Sequence, residues 1–293
     1  MKNIIIDKLE EKQTRIDQKR DEVIKRYPFL WAKMISEWNS QGKDDLVWMI
    51  YSANYLFRTA NVRWAIDPLS LNWRIPDAPN MDLNHDLQTL SFVLLTHSHK
   101  DHLDFNLLSS LQYLPIRWVV PEFLIPLVLE KTELNESQII VPHPLQPIEI
   151  EGFRIIPFEG QHLVTNPDGT STGVLEMGYL VEYKDKRWLF PGDTRIYEAK
   201  RFPVFNRINT LFAHLWLGRG AALVDPPQLI EAFCQFCADF KPERVILTHI
   251  EELGRDADDF WDTSHVKNVI SQFRWKYPDI PIVPARLGEC VRI

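Results

Sequence analysis

The 293-residue chain carries 33 Lys and Arg against 40 Asp and Glu, a formal charge of −7, which argues against the broad basic face that nucleic-acid binding needs. Its 45% hydrophobic content and ten tryptophans suffice for the sizeable core of one large α/β layer structure. Three cysteines, Cys234, Cys237 and Cys290, are too few, and odd in number, for a disulfide framework. The charged N-terminus has no apolar run of signal-peptide or membrane-spanning length, so the expected setting is cytoplasmic, without membrane insertion.

From residue 5 to 39, Ile6, Leu9, Ile16, Val23, Ile24, Phe29, Leu30 and Met34 recur at roughly helical spacing among charged residues. This predicts one or two amphipathic helices, with a break or restart at Pro28. Gly42 closes this N-terminal helical extension (1–42), and a second unit spans 43–293. Residues 45–67, rich in β-branched and aromatic side chains, predict two or three short strands. The compact apolar run SFVLLT (91–96) reads as a buried strand, and residues 104–112 read as a helix. Strands are expected at 117–120, 138–141, 148–158, 171–183 and 187–193. Pro226 and Pro227 sit where a helix should begin, RVILTH (244–249) is another buried strand, and Thr263 and Ser264 are candidate caps for a helix over 265–276. IPIV and ECVRI close the chain as strands. Strands come first as a meander, then alternate with helices, and the pattern loosely repeats in the second half. That order suits two sheets sandwiched between helices.

The most informative stretch is LLTHSHKDHLD (94–104), in which His97, His99, Asp101 and His102 fall within six residues just after a buried strand. Neutral imidazoles and carboxylates are suitable ligands for Zn²⁺ and related cations, and a short loop at a strand end can turn several onto one point. The competing reading is a solvated polar loop, which leaves unexplained three histidines here out of nine in the chain.

This His-x-His-x-Asp-His string resembles the signature of the metallo-β-lactamase superfamily. Further residues fit in order: Asp67 in WAIDP, His162 in FEGQH, Asp193 in WLFPGDT and His249 in VILTH. The resemblance runs from about residue 45 to 293. It implies an α/β fold, the four-layer αββα sandwich, preceded here by the helical extension. It also implies that His97, His99 and His162 hold one metal and Asp101, His102 and His249 a second, with Asp193 bridging them. Asp101 and Asp193 are the expected catalytic carboxylates, and Asp67 is expected to orient a ligand histidine through its ring N–H. One or two Zn²⁺ are expected, with Mn²⁺ or Fe²⁺ as alternatives. Two cations about 3.5–4 Å apart can share a water and lower its pKa towards neutrality.

Each of these residues has a plainer reading. His162 can be a loop histidine, Asp193 a turn aspartate, and His249 a buried structural one. His214, Arg195 and Arg219 are candidate substrate contacts, against strand-end packing for the first and surface exposure for the arginines. His265 is expected at a helix start, and His85 and His143 in loops. The Cys234–Cys237 pair lies in an apolar helical segment without a second pair, which favours packing over zinc or redox chemistry. Within the resemblance, Asp193 speaks against the penicillin-degrading branch, and His99 against the flavodiiron branch, which has glutamate there. Chain length and acidic balance speak against the nuclease branch. The Pro-Gly-Asp-Thr turn and the Gly-bearing loop LWLGRG look similar to ascorbate-6-phosphate lactonase-like and N-acyl-phosphatidylethanolamine phospholipase D-like proteins. The expected activity is hydrolysis of a small, anionic ester, lactone or phosphodiester. The alternative is a mononuclear-iron sulfur dioxygenase in the same fold. The expected partners are a small-molecule substrate and, as an open option, a second copy of the chain as a homo-oligomer.

Overall fold

A computed structural model describes residues 2–166, 168–218 and 227–293. In chain order it begins with a long helix, α1 (Lys2–Asn39), followed by β1 (Leu46–Met49), β2 (Tyr55–Thr59), β3 (Val62–Ile66), α2 (Leu71–Arg74), α3 (Leu83–Asp86), β4 (Phe92–Leu94), α4 (Phe105–Leu111), β5 (Arg117–Val119), α5 (Ile125–Lys131) and β6 (Ile139–Ile140). The second half comprises β7 (Ile148–Ile150), β8 (Phe153–Glu159), β9 (Val164–Thr165), β10 (Ser171–Thr172), β11 (Met177–Tyr183), β12 (Lys186–Phe190), β13 (Thr210–His214), α6 (Pro227–Asp239), β14 (Arg244–Thr248), α7 (Thr263–Lys276), β15 (Ile282–Pro284) and β16 (Cys290–Arg292).

The strands form two seven-stranded sheets, ordered β16-β1-β2-β3-β4-β5-β6 and β15-β14-β13-β12-β11-β8-β7. Each is half antiparallel meander and half parallel, the parallel runs being β3 to β6 and β12 to β15. Alternation along the strands builds the layers. In β2 and β3, Tyr55, Phe57, Trp64 and Ile66 enter the core between the sheets, while Leu56 and Ala65 face the other way, towards the helices. In β11 and β12, Met177, Tyr179, Val181, Trp188 and Phe190 point inwards, and Leu180 and Leu189 point out towards α6 and α7. Stacked Phe57 and Trp64, 3.8 Å between ring centres, and Phe190 and Phe212, 4.4 Å apart, fill the centre of the sandwich. The result is the expected αββα order.

Several local expectations are corrected. α1 runs unbroken through Pro28. That residue lies on the exposed side, where water can satisfy the carbonyl its ring leaves without a donor, and Tyr27, Trp31, Met34, Ile35 and Trp38 anchor the buried stripe on both sides. Residues 148–158 are a hairpin, because Glu151 and Gly152 adopt φ of +51° and +80°, the left-handed pair of a tight turn. In 171–183 only Ser171–Thr172 and Met177–Tyr183 are strand. α7 is capped by Asp262 and not by Thr263 or Ser264, since the Asp262 carboxylate accepts from the Ser264 N–H at 2.8 Å while the His265 ring accepts from the Asp262 N–H. α2, α3 and α5 were not expected, being too short to display a period, and His85 lies in α3 and not in a loop. Cys234 and Cys237 are free thiols buried in the core under α6. Pro226 and Arg219 lie outside the described residues. Among the described residues no helix is long and apolar enough to cross a membrane.

Candidate metal centre

The candidate ligands and the orienting Asp67 all follow the C-terminal ends of strands: Asp67 after β3, His97 to His102 after β4, His162 after β8, Asp193 after β12 and His249 after β14. Because β3 and β4 are parallel, and β12, β13 and β14 are parallel, these ends share one edge in each sheet. Two of these turns are strained, with Asp67 at φ +43° and His249 at +59°. Such left-handed backbone costs about 1–2 kcal/mol per residue. Hydrogen bonds pin both turns: Asp67 N–H to Leu94 O at 3.0 Å, His249 N–H to Ser52 O at 3.0 Å, and Asn54 Nδ2 to the carbonyls of Asp67 and Asp101, both at 2.8 Å.

The structure brings the candidates into two adjoining clusters, His97–His99–His162 and Asp101–His102–Asp193–His249, with the ligand atoms of each cluster within 4.8 Å of one another. Asp193 Oδ2 lies 3.4 Å from His102 Nε2, 3.4 Å from His249 Nε2 and 3.9 Å from His97 Nε2. Asp101 Oδ2 lies 3.5 Å from His249 Nε2, and His162 Nε2 is 3.0 Å from His99 Nδ1. The Nε2 atoms of His97, His102 and His249 are buried without a hydrogen-bond partner. Buried ring nitrogens of this kind are costly unless something else engages them. Three of them around one carboxylate oxygen fit a divalent cation in a nitrogen and oxygen donor set.

The outer contacts fix orientation. Asp67 Oδ2 receives His102 Nδ1–H at 2.8 Å, while its carboxylate also accepts the Thr96 N–H at 2.8 Å and the Thr96 hydroxyl at 2.5 Å. His214, expected as a substrate contact, lies on the cavity wall and places its Nδ1 2.7 Å from Asp193 Oδ1 and its Nε2 2.8 Å from the Tyr55 hydroxyl. Arg195 Nε donates to His162 Nδ1 at 3.1 Å, and its guanidinium lies 5.1 Å from the centre of the Trp216 ring. Arg255 donates to Asp101 Oδ2 at 3.0 Å and is itself held by Glu252 and Asp259.

Electrostatics divide the imidazoles. Burial depresses His97 to about 3 and His162 to about 4. Burial also opposes charge on His102 and His249, but Asp193 and its neighbours outweigh it and raise both. Burial pushes Asp193 up, yet the facing His249 and His102 prevail and hold it well below the carboxylate range. Protons on His102 and His249 thus offset the carboxylates where a cation would do so when bound. Burial, then the Asp193 charge, raises Glu176 to about 7.

Above the clusters is a cavity of about 280 Å³ whose lining includes Arg74, Lys100, Arg195, Arg255 and Trp216. Sequence reasoning found Arg195 but missed the other four, and it missed Glu176 beneath the ligands. Arg74, Arg255 and Glu176 have no spacing signal, because the fold draws them from separate segments, whereas Lys100 lies within the ligand loop itself and Trp216 within the LWLGRG loop.

A model of the beta-lactamase superfamily domain matches residues 65–250, and the chain belongs to that superfamily. Solved structures similar in fold include the metallo-beta-lactamase fold protein YhfI from Bacillus subtilis, at 14% identity and TM-score 0.60 over 86% of this chain and 100% of that one. Igni18, a metallo hydrolase from the archaeon Ignicoccus hospitalis, is 15% identical with TM-score 0.59 over 85% and 98%. CmlA, a diiron beta-hydroxylase from Streptomyces venezuelae, is 15% identical with TM-score 0.57 over 86% of this chain, which spans only 55% of CmlA. No curated protein matches the sequence.

Proposed function

We propose that the chain is a cytoplasmic metal-dependent hydrolase that takes two divalent ions, zinc ahead of manganese or iron, and cleaves a small anionic ester, lactone or phosphodiester. The observation that carries this reading is the convergence of the unpartnered Nε2 atoms of His97, His102 and His249 around Asp193 Oδ2. His97, His99 and His162 would hold one ion and Asp101, His102 and His249 the other, with Asp193 between them. Such ions, when bound, polarise a scissile carbonyl or phosphoryl oxygen and acidify a water. The chain's own part is orientation: Asp67 presents His102, and His214 engages Asp193 Oδ1 so that Oδ2 faces the clusters.

Lys100 and Arg195 support an anionic substrate, because both border the cavity and bring positive charge to its mouth. The Arg74 and Arg255 charges are largely balanced by Glu252 and Asp259. A cavity at the small end of the usual range suits a small molecule. Within the superfamily our reading stays with the lactonase-like and phosphodiesterase-like branch, on its Pro-Gly-Asp-Thr turn.

The Asp101–His102–Asp193–His249 cluster favours two ions over the mononuclear-iron sulfur dioxygenase. The test strips the protein with a chelator, titrates Zn²⁺, Mn²⁺ and Fe²⁺, and follows bis(4-nitrophenyl) phosphate and an aliphatic lactone alongside oxygen uptake. Two equivalents with hydrolysis support the reading. One equivalent of iron with oxygen uptake supports the dioxygenase instead, and no metal uptake overturns both.

A further inference from the structure

Glu176 belongs to neither ligand cluster, yet its carboxylate lies directly against both. It immediately precedes β11, and its side chain is fully buried. Oε1 accepts the Asp193 N–H at 2.7 Å and lies 3.3 Å from His97 Nδ1. The adjoining backbone also bridges the two sheets, since Met177 N–H donates to Thr96 O at 3.1 Å, while Glu176 O accepts Gly160 N–H at 2.9 Å within the second sheet. Room for the carboxylate depends on two glycines. A Cβ on Gly160 would stand 2.6 Å from Oε2, and one on Gly192, at φ +84°, would collide with the same carboxylate.

An apolar side chain would fill this volume without burying a polar oxygen that has no partner. The carboxylate differs from such a filler only in the two groups it holds. On the His97 side the Thr96 hydroxyl gives its hydrogen to Asp67 at 2.5 Å, so its oxygen can accept from His97 Nδ1 at 2.9 Å. Nδ1 therefore hydrogen-bonds Thr96 Oγ1, with the Glu176 carboxylate 3.3 Å away on the same side as a charge that favours a hydrogen there. A hydrogen on Nδ1 leaves the Nε2 lone pair directed at the centre.

We infer that Glu176 is a positioning residue of the metal centre: it holds His97, from the first sheet, as the Nδ1–H tautomer and pins the Asp193 turn of the second sheet, so that ligands from both sheets meet at one ion. The inference rests on the metal-hydrolase reading. Outer partners of this kind set ligand orientation and donor strength, and their loss typically weakens metal affinity 10–100-fold.

The experiment compares wild type, Glu176→Gln and Glu176→Met by Zn²⁺ competition against a chromophoric chelator, with the metal-free fold read by circular dichroism. Glu176→Met, which keeps the volume and loses the acceptor, is expected to bind at least one ion about 10–100-fold more weakly and to shift the Co²⁺ visible spectrum. Glu176→Gln, which keeps an acceptor oxygen, should lose less. A folded Met variant that binds both ions with wild-type affinity overturns the inference and leaves only a packing role. If the Met variant does not fold, ¹⁵N shifts of His97 in metal-free wild type and Glu176→Gln decide. Nδ1–H in wild type with a smaller Nδ1–H population in the Gln variant supports the inference, and Nε2–H in wild type or an unchanged tautomer in the variant overturns it. Wild type that takes up no ion overturns the hydrolase reading itself, a result distinct from equal affinities.

Discussion

Removing the Asp67 carboxylate tests how far the site depends on groups that never touch an ion. The residue is 1% exposed and accepts three hydrogen bonds, from the Thr96 N–H, the Thr96 hydroxyl and the His102 ring. Asp67→Ala strands three buried donors at about 1–3 kcal/mol each. It also leaves an alanine at φ +43°, where a side chain without local hydrogen bonding costs about 1 kcal/mol. A loss of at least roughly 4 kcal/mol follows, a size that single substitutions rarely reach. Asp67→Asn is gentler. Asparagine tolerates the left-handed turn and its carbonyl can still receive one donor, but its NH₂ must confront another. The Asn variant is expected to lose about 1–3 kcal/mol in urea unfolding of the metal-free protein. At the His102 site its Zn²⁺ affinity should fall about 10–100-fold, or about 1.4–2.7 kcal/mol. An Asn variant with the wild-type urea midpoint and both wild-type affinities would refute the reasoning.

Four shorter predictions accompany it. Asp193→Ala should lower kcat at least about 100-fold, the upper end for loss of a ligand's outer partner, with a smaller change in KM; full turnover would mean that the wrong aspartate carries the site. Zn²⁺ added to metal-free protein in weak buffer at about pH 7 should release protons from His102 and His249, whose facing carboxylates raise them, and absence of release would contradict that assignment. The same raised groups stabilise the metal-free fold below the unfolded imidazole value of about 6.5, and this is lost as pH rises through their folded values. His97 and His162, depressed to about 3 and about 4, act oppositely: the unfolded chain takes up protons below about 6.5 that the folded one refuses, so their effect is a loss of stability towards acid, readable by urea unfolding across pH. Arg195→Ala, assayed with the metal sites saturated because Arg195 also holds His162, should raise KM for an anionic probe about 10-fold or more, the size of one charge-assisted hydrogen bond, and raise it less for a neutral ester; equal effects on both probes would reject anion binding.

The residues gathered at the candidate metal centre were legible because each carries a local signal. His97, His99, Asp101 and His102 occupy one loop, and Asp67, His162, Asp193 and His249 each follow an apolar run that ends abruptly in a polar residue. The layers were legible for a related reason, since two successive meanders followed by alternating strands and helices leave few other ways to cover two sheets. Glu176 was not legible. Nothing in VLEMGYLVEY separates a glutamate beneath a metal centre from one on a strand edge, and only the pairing of β11 with β8 and β12 buries it. Arg74 and Arg255 were hidden in the same way, being 181 positions apart in sequence and joined through Glu252.

The N-terminal helix carries this point further. Its apolar stripe predicts an amphipathic helix, but nothing in the spacing of its charged residues tells which of them meet protein and which meet water. In the structure four of the polar ones grip the segment that follows His249. Lys12 Nζ donates to Phe260 O at 2.8 Å, Gln13 Oε1 accepts from Ala257 N–H at 3.0 Å, Lys19 pairs with Glu251 at 2.7 Å and Arg20 Nε donates to Leu253 O at 2.9 Å. That segment carries Arg255, whose guanidinium holds Asp101 at 3.0 Å. A chain of direct bonds therefore runs from α1 through residues 251–260 to a candidate ligand. The exposed ion pairs among them add little stability individually, but the backbone carbonyls of Leu253 and Phe260 are fixed by donors that no other element supplies among the described contacts. The placement of Arg255 against Asp101 thus depends on a helix that begins more than 200 residues earlier, which is why no local motif could reveal it.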